Sequence, residues 1–582
     1  VDTEGLSPGD LEGILEAYGE KKRYYRLKTG EFLTLGEDGL KVVSGLFRDM
    51  GVSKKELRQG RIRLPSYRAL YLDQLLRGNG GKVRYARSRE FMERVLRMGE
   101  DNPDYAAPES MEGVLRDYQK DGFCWLKALD ENGFGGILAD DMGLGKTIQV
   151  IALLLDVYGG KERTEEPSLV ICPASLVYNW QKEIRRFAPE LKTAAVIGPA
   201  GRRAEILKEI QENESSPVIL ITSYDLFRRD VGQYRAMKYR YEILDEAQYI
   251  KNASTQNSRA VKAIEARTRL AVTGTPMENH LGELWSIFDF LMPGFLFSYG
   301  KFHKDYELPI LGGDGEALER LRLLAAPFIL RRVKEDVLRE LPPKVEQVIY
   351  AGLEGEQKKL YAAWALRLRK RLESARGDLG AERFSILADL TRLRQICCDP
   401  RLSVDRYKGS SAKLDCCMEL VRRGLEGGHR ILLFSQFTSM LELIEERLCK
   451  EGVPFLKLTG ATPKEERERL VGRFSQNQEP VFLISLKAGG TGLNLTAADM
   501  VIHYDPWWNA AAQDQATDRT HRIGQKRQVM VYRLIAKNTV EENMLVLQQS
   551  KEMLSRQLIG AAGGEYSWSR EELLRLLQEE PE

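Results

Sequence analysis

Asp140-Asp141-Met142-Gly143-Leu144-Gly145-Lys146-Thr147 lies between a short apolar run, Gly136–Ala139, and a helical pattern over Ile148–Tyr158. It follows the phosphate-loop pattern in all but its first position, where Asp140 stands for the usual glycine. Gly143 and Gly145 let backbone N–H groups come close to phosphates, and the N-terminus of the following helix favours an anion. Lys146 would reach the β- and γ-phosphates and Thr147 would ligate Mg2+, with Asp141 and Leu144 completing the loop. Further along, Tyr241–Leu244 reads as a strand ending in Asp245-Glu246-Ala247-Gln248. A carboxylate at the C-terminal end of a strand is where a Mg2+-bound nucleotide meets a parallel sheet. Asp245 suits metal coordination, directly or through water. Glu246 suits orienting and deprotonating an attacking water, given burial enough to raise its pKa. Alone, this tetrapeptide is a weak signal and more often a solvated helix start; downstream of a phosphate loop and after a strand it reads as the other half of a nucleotide site.

The elements that must hold these residues alternate. Gly136–Ala139, Ser168–Cys172, Val218–Thr222, Tyr241–Leu244 and Leu270–Thr273 read as strands separated by amphipathic helices. A second series follows at Ile431–Phe434, Phe455–Leu458, Val481–Ser485, Met500–Tyr504 and Val531–Ile535. Alternation of this kind predicts parallel α/β sheets. The stretch 330–425 between the two series is helix-rich and charged, as in Lys358–Ala375. The strand before Asp245, YRYEIL, is more polar than a usual central strand. Residues 1–106 mix short helical and strand patterns: Leu11, Ile14 and Leu15 on one helical face, a hairpin from Lys21–Arg26 and Gly30–Leu35, and Arg63–Leu76 as a strand ending at Pro65 followed by a helix. Asp101–Pro108 reads as a linker. The tail offers a helix over Val540–Leu558 and a capping box at Ser569–Glu572.

Composition narrows the class. The 582 residues suggest about four domain-sized units. With 87 Lys+Arg against 85 Asp+Glu the net charge is +2, which gives no general reason for nucleic-acid binding; that case rests on motifs. Charged residues make up 30% of the chain, and no apolar run approaches the ~18 residues of a spanning helix, so a membrane protein is excluded. At 43% hydrophobic with no low-complexity tract, a disordered chain is excluded as well. Seven cysteines spread over this length read as reduced thiols rather than a disulfide framework. Cys397/Cys398 and Cys416/Cys417 could be drawn as four thiolates, but adjacent cysteines point apart and no C-x2-C spacing occurs, so zinc is not expected. No signal peptide is evident. The chain opens at Val1 directly into a helical pattern and is expected to continue upstream.

Taken in order, the segments Asp140–Thr147, Asp245–Gln248, Thr273–Pro276 and Gln515–Gln525 (QATDRTHRIGQ) resemble the superfamily 2 helicase-like ATPases, and most closely the Swi/Snf group of double-stranded-DNA translocases. Leu115–Leu126, Cys172–Glu183, Phe328–Lys344, Phe434–Phe437, Leu458–Gly460 and Ser485–Leu495 extend the likeness over about 112–560 in the expected order. KKRYYRLKTGEFLTL and LPSYRALYLDQLL are similar to the helicase-associated region of bacterial members. The implied fold is α/β: two RecA-like parallel-sheet lobes with a helical insert between them and a small mixed N-terminal domain. The domains are expected at 1–106 (helicase-associated), 107–330 (lobe 1), 331–425 (helical linker or insert), 426–545 (lobe 2) and 546–582 (brace helix and tail).

The resemblance implies roles residue by residue. Gln119 reads the adenine edge, and Gly492 joins the nucleotide-binding set; a surface glutamine is the plain alternative for Gln119. Arg519 and Arg522 are arginine fingers that cross the interlobe cleft, and Gln515 contacts phosphate or the attacking water. The alternative for this segment is a solvated basic helix. Thr273–Pro276 links nucleotide state to DNA. Pro173, Ser175, Thr222 and Ser223 of lobe 1 track along DNA phosphates, as do Ser435, Gln436, Thr459, Lys487, Gly489 and Thr491 of lobe 2, without reading sequence. Trp507 and Trp508 are core anchors or a cleft element. Arg331 and Arg332 are candidates for phosphate contact, whereas Arg367–Arg371 reads better as a solvated helix face. Gln248 stands where many members have histidine.

The implied activity is ATP- and Mg2+-dependent translocation on duplex DNA, with displacement or remodelling of DNA-bound proteins. The implied setting is a monomeric motor in the bacterial cytoplasm, associated with the nucleoid and not with a membrane. A strand-separating DNA or RNA helicase is the nearest alternative, and a nucleotide-gated DNA clamp without turnover is the alternative from another class. Lys146→Ala or Glu246→Gln is expected to abolish ATP turnover while leaving the circular-dichroism spectrum intact. Near-normal hydrolysis in either variant overturns the site assignment.

Overall fold

The computed structural model describes residues 8–20, 22–27, 29–35, 44–45, 47, 49–51, 65–68, 71–73 and 105–546, apart from 160–163, 213–217, 275–280, 339–340, 375–382, 405, 477–478, 490–494 and 508–509. The first α/β unit is a seven-stranded, wholly parallel sheet. Its strands are β3 (Gly136–Leu138), β4 (Ser168–Cys172), β5 (Lys192–Ala195), β6 (Val218–Ser223), β7 (Lys238–Asp245), β8 (Glu265–Val272) and β9 (Ile329–Leu330), in the order β5-β6-β4-β7-β8-β3-β9. The first two strands in chain order, β1 (Tyr24–Arg26) and β2 (Phe32–Thr34), form the antiparallel hairpin of the N-terminal region. Its inner face closes on helix Pro8–Gly19 through Ile14, Ala17 and Leu35.

β4 is buried at every position and β6 at all but its first, as expected of strands with helices on both faces. One apolar cluster fills each face of the sheet: Ile137, Leu169, Leu220, Leu244 and Ala271 on one, Leu138, Val170, Ile221, Ile243 and Val272 on the other. The polar strand β7 is nonetheless buried from Tyr239 onward. Its charges are met from neighbouring elements. Arg240 forms a two-pronged pair with Asp130, to which Thr268 also donates at 2.7 Å, and Glu242 lies 3.3 Å from the Arg269 guanidinium. Burial pushes the Glu242 carboxyl up to about 8, with Arg269 opposing the shift.

The second unit is a six-stranded parallel sheet of β10 (Lys344–Gly352), β11 (Ile431–Ser435), β12 (Phe455–Leu458), β13 (Val481–Ser485), β14 (Met500–His503) and β15 (Val529–Lys537), ordered β10-β15-β14-β11-β13-β12. β10 corrects the helical reading of 331–425: it pairs with β15 along its whole length, from Lys344↔Val529 to Gly352↔Lys537. As an edge strand it keeps most side chains partly or fully exposed, so it carries charge instead of the apolar run that marks an inner strand. Helix Ala412–Glu426 also belongs to this unit, burying Leu414, Cys417, Met418 and Val421 against the sheet. The helical insert proper is the pair Gly355–Ser374 and Arg383–Cys398, whose core joins Leu368, Leu372, Leu390 and Leu393 to Val540 and Met544. Adjacent Cys397 and Cys398 part into different cores, the first in this helical pair and the second under the sheet.

Residues 540–546 are helical; the rest of the expected C-terminal helix and the capping box lie outside the described residues, as does half of Arg63–Leu76. Trp507 is partly buried against the second sheet's core, and Trp508 lies outside the described residues. The N-terminal region docks on lobe 1 through Asp49, which accepts from Tyr71 at 2.6 Å and lies 3.6 Å from Arg320, and through Arg68, which donates to the Phe295 carbonyl. Among the described residues no helix is long and apolar enough to cross a membrane.

The C-terminal segment is pinned by a fully buried ion pair, Lys413 Nζ to Glu541 at 2.6 Å. The same oxygen, Glu541 Oε2, also accepts the Ala536 N–H at 2.8 Å, and Oε1 faces Cys398 Sγ at 3.9 Å. Lys413→Met leaves that carboxylate buried without its cation and is expected to cost about 3–5 kcal/mol. A lowered urea midpoint reads this out, and the double variant Lys413→Met/Glu541→Leu should recover most of it.

Candidate active site

The site forms where the C-terminal ends of the first sheet's strands face the second lobe. Beyond β3 the chain turns through Asp140–Gly145 into helix Lys146–Gly159, which is buried over nearly its whole length and so holds the loop's far end rigidly. Gly143 (φ +91°) and Gly145 (φ +78°) occupy the left-handed region that favours glycine. Both positions are also crowded. A Cβ on Gly145 would stand 2.5 Å from Gln119 Nε2, and one on Gly143 would stand 2.9 Å from Arg522 Cβ of the other lobe.

Asp140, the departure from the usual first glycine, is an anchor. Its buried carboxylate accepts from Arg332 Nε at 2.9 Å and Nη2 at 2.5 Å, and from Gln149 Nε2 at 3.0 Å. Arg332 also donates to the Tyr118 carbonyl, and its backbone carbonyl accepts the Asp141 N–H at 2.9 Å. Arg332 therefore sits behind the loop, paired internally, which corrects its reading as a phosphate contact. Arg331 lies 3.8 Å from Asp141. In the helical insert, Arg371 pairs with Asp389, Arg369 with Glu373, and Arg367 lies over Trp364, as expected of a charged helix face.

Lys146 donates to the Asp140 carbonyl at 2.7 Å and weakly to that of Asp141. Burial lowers its pKa, while Glu246, Asp140, Asp245 and Asp141 act to raise it. Thr147 is half-buried in the first helical turn. Gln119 is buried beneath the loop: its Oε1 accepts the Arg116 N–H at 3.0 Å and its Nε2 donates to the Leu144 carbonyl at 2.9 Å. A two-pronged adenine contact from Gln119 requires this amide to turn away from both partners.

Asp245 ends β7 with its carboxylate held by Trp180 Nε1 at 2.8 Å and by the Glu246 N–H at 3.0 Å. Burial pushes Asp245 up to about 7, the neighbouring Glu246 charge adds to this, and Trp180 and Lys146 oppose it. A dication at this carboxylate would favour its ionised form. Glu246 has φ +53°, a left-handed conformation that is unusual for a non-glycine residue and typical of functional sites. Gln248 Nε2 donates to Glu246 Oε2 at 2.7 Å, and Gln248 Oε1 accepts from Thr273 Oγ1 at 2.9 Å. Across the cleft, Gln515 Nε2 donates to Glu246 Oε1 at 3.2 Å. The amide of Gln248 thus serves one donor and one acceptor, as the two ring nitrogens of a neutral histidine could.

Gln515 lies on helix Ala510–Thr517, and the turn after it carries Arg519 and Arg522. Burial lowers the pKa of both arginines; Glu246 offsets this most for Arg519, and Glu183 most for Arg522. Amides of a rigid helix N-terminus, two left-handed glycines, Lys146 and Arg519 thus converge on one space bordered by Asp245 and Glu246, with Arg522 standing against the loop at Gly143. That donor set fits a polyphosphate with a divalent cation: Thr147 and Asp245 would hold the metal, and the cations would hold the phosphates.

The expected DNA contacts divide. Pro173 and Ser175 are partly exposed on the loop after β4, as are Gln436 and Thr459 in lobe 2. Thr222, Ser223 and Ser435 are buried, so their side chains present little surface for a DNA contact. Thr222 Oγ1 donates to the Val196 carbonyl at 2.9 Å, and Ser435 Oγ donates to Asp505 at 2.6 Å. Ser223 and Ser435 are the last residues of their strands, and beyond Ser435 full exposure begins at Thr438 and Ser439, in the first turn of the helix Thr438–Lys450. Lys487 and Gly489 lie on the short helix Leu486–Gly489; Thr491, Gly492, Thr275 and Pro276 lie outside the described residues. Trp180 and the anchoring role of Arg332 escaped sequence reading. An indole inside a polar VYNWQKE segment and a doubled arginine after an apolar run were the available signals.

Comparison with known proteins adds kinship. The family described as SNF2-related domain matches residues 118–402, Helicase conserved C-terminal domain matches 412–524, and Bacterial SNF2 helicase associated matches 1–105. An uncharacterized ATP-dependent helicase of Mycoplasma pneumoniae is 41% identical over 80% of this chain and 44% of its own. The putative ATP-dependent helicase/translocase YwqA of Bacillus subtilis is 41% identical over 83% of this chain and 53% of its own. The chain therefore spans about half the length of the curated relatives it matches. The solved Sulfolobus solfataricus SWI2/SNF2 ATPase core in complex with dsDNA is 37% identical over 77% of this chain and 97% of that one, at a TM-score of 0.39. The sequence identity, not the superposition, carries that relationship.

Arg332→Leu strips the buried Asp140 carboxylate of its cation, at an expected cost of about 3 kcal/mol concentrated at the phosphate loop. Titration with a fluorescent ATP analogue should show weakened nucleotide binding, together with a lowered melting temperature.

Proposed function

The chain belongs to the SNF2-related family of helicase-like ATPases, and on that premise we propose that it hydrolyses ATP between its two lobes to move along double-stranded DNA, displacing or remodelling proteins bound there. The observation that carries this reading is the meeting of both lobes at one carboxylate: Gln515 of lobe 2 donates to Glu246 of lobe 1, beside Lys146 and Arg519.

The amides of the loop and helix N-terminus, with Lys146, bind the phosphates and orient the γ-phosphoryl group. Mg2+ held by Thr147 and Asp245 would neutralise charge on the phosphate oxygens. Glu246 takes a proton from the attacking water, with its carboxylate oriented by Gln248 on one side and Gln515 on the other. Arg519 and Arg522 stabilise the charge that develops on the transferring group. Those groups come from the second lobe, so turnover needs a closed cleft. Opening and closing would then shift the two sets of candidate DNA contacts relative to each other: Pro173–Ser175 on lobe 1, and Gln436, Thr459 and Lys487 on lobe 2. Contacts of this kind to phosphates position a protein on DNA without reading its sequence. Gln119 serves ATP recognition in this scheme by turning from Leu144 to the adenine edge. A single chain carries both halves of the site, which suits a monomeric motor acting on the bacterial nucleoid in the cytoplasm.

Steady-state ATP turnover measured with no nucleic acid, single-stranded DNA, duplex DNA and duplex RNA, at one fixed salt, tests the reading. Duplex DNA should stimulate most. Preference for RNA or single strands would point to a strand-separating helicase, and duplex binding without multiple turnover to a nucleotide-gated clamp. Arg522→Ala should lower turnover far more than ATP binding; equal losses would argue against a finger acting on the transition state.

A further inference from the structure

The segment from Arg331 to Pro343 joins the two lobes, and it is tied to both halves of the candidate site. Toward lobe 1, Arg332 holds Asp140, the Lys334 N–H donates to Asp141 Oδ2 at 3.1 Å, and Leu338 packs with Tyr118 and Leu144. Toward lobe 2, the Pro342 carbonyl contacts His521 Nε2 at 2.8 Å. Lys334 Nζ donates to Asp518 Oδ1 and to the His521 carbonyl, each at 2.6 Å. Lys334 is buried, and its aliphatic chain passes 3.7 Å from where a Cβ on Gly143 would stand. One residue therefore bonds the phosphate loop through its backbone and the arginine-bearing turn through its side chain.

The chemistry of the turn makes that cation matter. Asp518 immediately precedes Arg519 and lies three residues before His521 and four before Arg522, close enough to favour the charged form of both guanidiniums. A carboxylate there competes with phosphate for the same arginines, because a guanidinium pairs with either anion through the same two-pronged geometry. Lys334 occupies that carboxylate. The His521 carbonyl, accepting the same ammonium, fixes the backbone between the two arginines.

We infer that Lys334 is a positioning residue for ATP hydrolysis: it holds Asp518 away from Arg519 and Arg522 and seats the turn that carries them against the phosphate loop. This rests on the hydrolytic reading of the cleft and extends it to a residue that does not touch the substrate. It separates two functions in one short segment. Arg332 organises the loop that binds phosphate, and Lys334 organises the cations that act on it after closure. Removing Lys334 leaves the binding loop anchored and frees Asp518 to capture a finger.

The test is DNA-stimulated steady-state ATP turnover by the full chain carrying Lys334→Met, Lys334→Arg, or Lys334→Met together with Asp518→Asn. Lys334→Met is expected to lower kcat about tenfold or more while KM for ATP stays within about threefold, since the loss falls on the transition state. Lys334→Arg should retain most of the wild-type rate. The double variant should recover much of the loss in kcat, because the competing carboxylate is gone, and Lys334→Met should show that loss at a temperature well below its melting transition; a lysine that merely supported the fold would lose and regain kcat only in step with the melting temperature. Unchanged kcat in Lys334→Met, or a double variant no faster than Lys334→Met, overturns the inference. If Lys334→Met does not fold, Lys334→Arg and the neutral double variant decide, and failure of both to turn over also overturns it. Absence of turnover in the wild-type chain would instead remove the hydrolytic reading itself.

Discussion

Asp140 and Arg332 form a buried ion pair at the base of the phosphate loop, and the placement of the catalytic elements follows from it. A carboxylate with no exposed surface is tolerable only with its charge and hydrogen bonds met. That requirement holds Arg332, and with it the start of the interlobe segment, against the loop. The Arg332 carbonyl then receives the Asp141 N–H, and two residues on the Lys334 N–H meets the Asp141 carboxylate. The path of the chain out of lobe 1 is thus set by the loop it will help to close.

The parallel sheets supply the other part of the geometry. Each strand of the first sheet delivers its following loop to the same edge, so the ends of β3, β7 and β8 bring Lys146, Asp245 and Thr273 together from distant parts of the sequence. Charges on the central polar strand are met by the elements beside it, Arg240 by Asp130 of a flanking helix and Glu242 by Arg269 of β8, so a polar strand could be placed at the centre. The second lobe uses the same device at Lys413 and Glu541, which ties the chain after β15 to the helix under the sheet.

Among the described residues the two lobes meet through polar groups, and no apolar cluster spans both. Thr273, Gln248, Glu246 and Gln515 form a relay of hydrogen bonds that starts in one lobe and ends in the other. Such bonds are individually modest in net stability and can exchange with water as the cleft opens. An extensive dry interface would resist such opening. The strained backbone of Glu246 lies in the middle of this relay, where both lobes act on its orientation.

The sequence alone determined the α/β class, five strands of each sheet though not the edge strands β5 and β9, and Lys146, Asp245, Glu246, Gln515, Arg519 and Arg522 as candidate site residues. Glycine, lysine and carboxylate at these positions are local requirements of phosphate and metal chemistry and leave a local pattern. Edge strand β10 left none, because an exposed strand lacks the apolar run of a buried one. Only the tertiary structure decided that Thr222 and Ser435 face inward, and that Arg332 serves Asp140 rather than a phosphate outside. It also placed Lys334 between the loop and the arginines, and Trp180 on Asp245. In each case the partner is remote in sequence, and which partner a polar side chain meets depends on how sheets and lobes pack. Local spacing shows what a residue can do; burial and long-range contact decide which of those things it does.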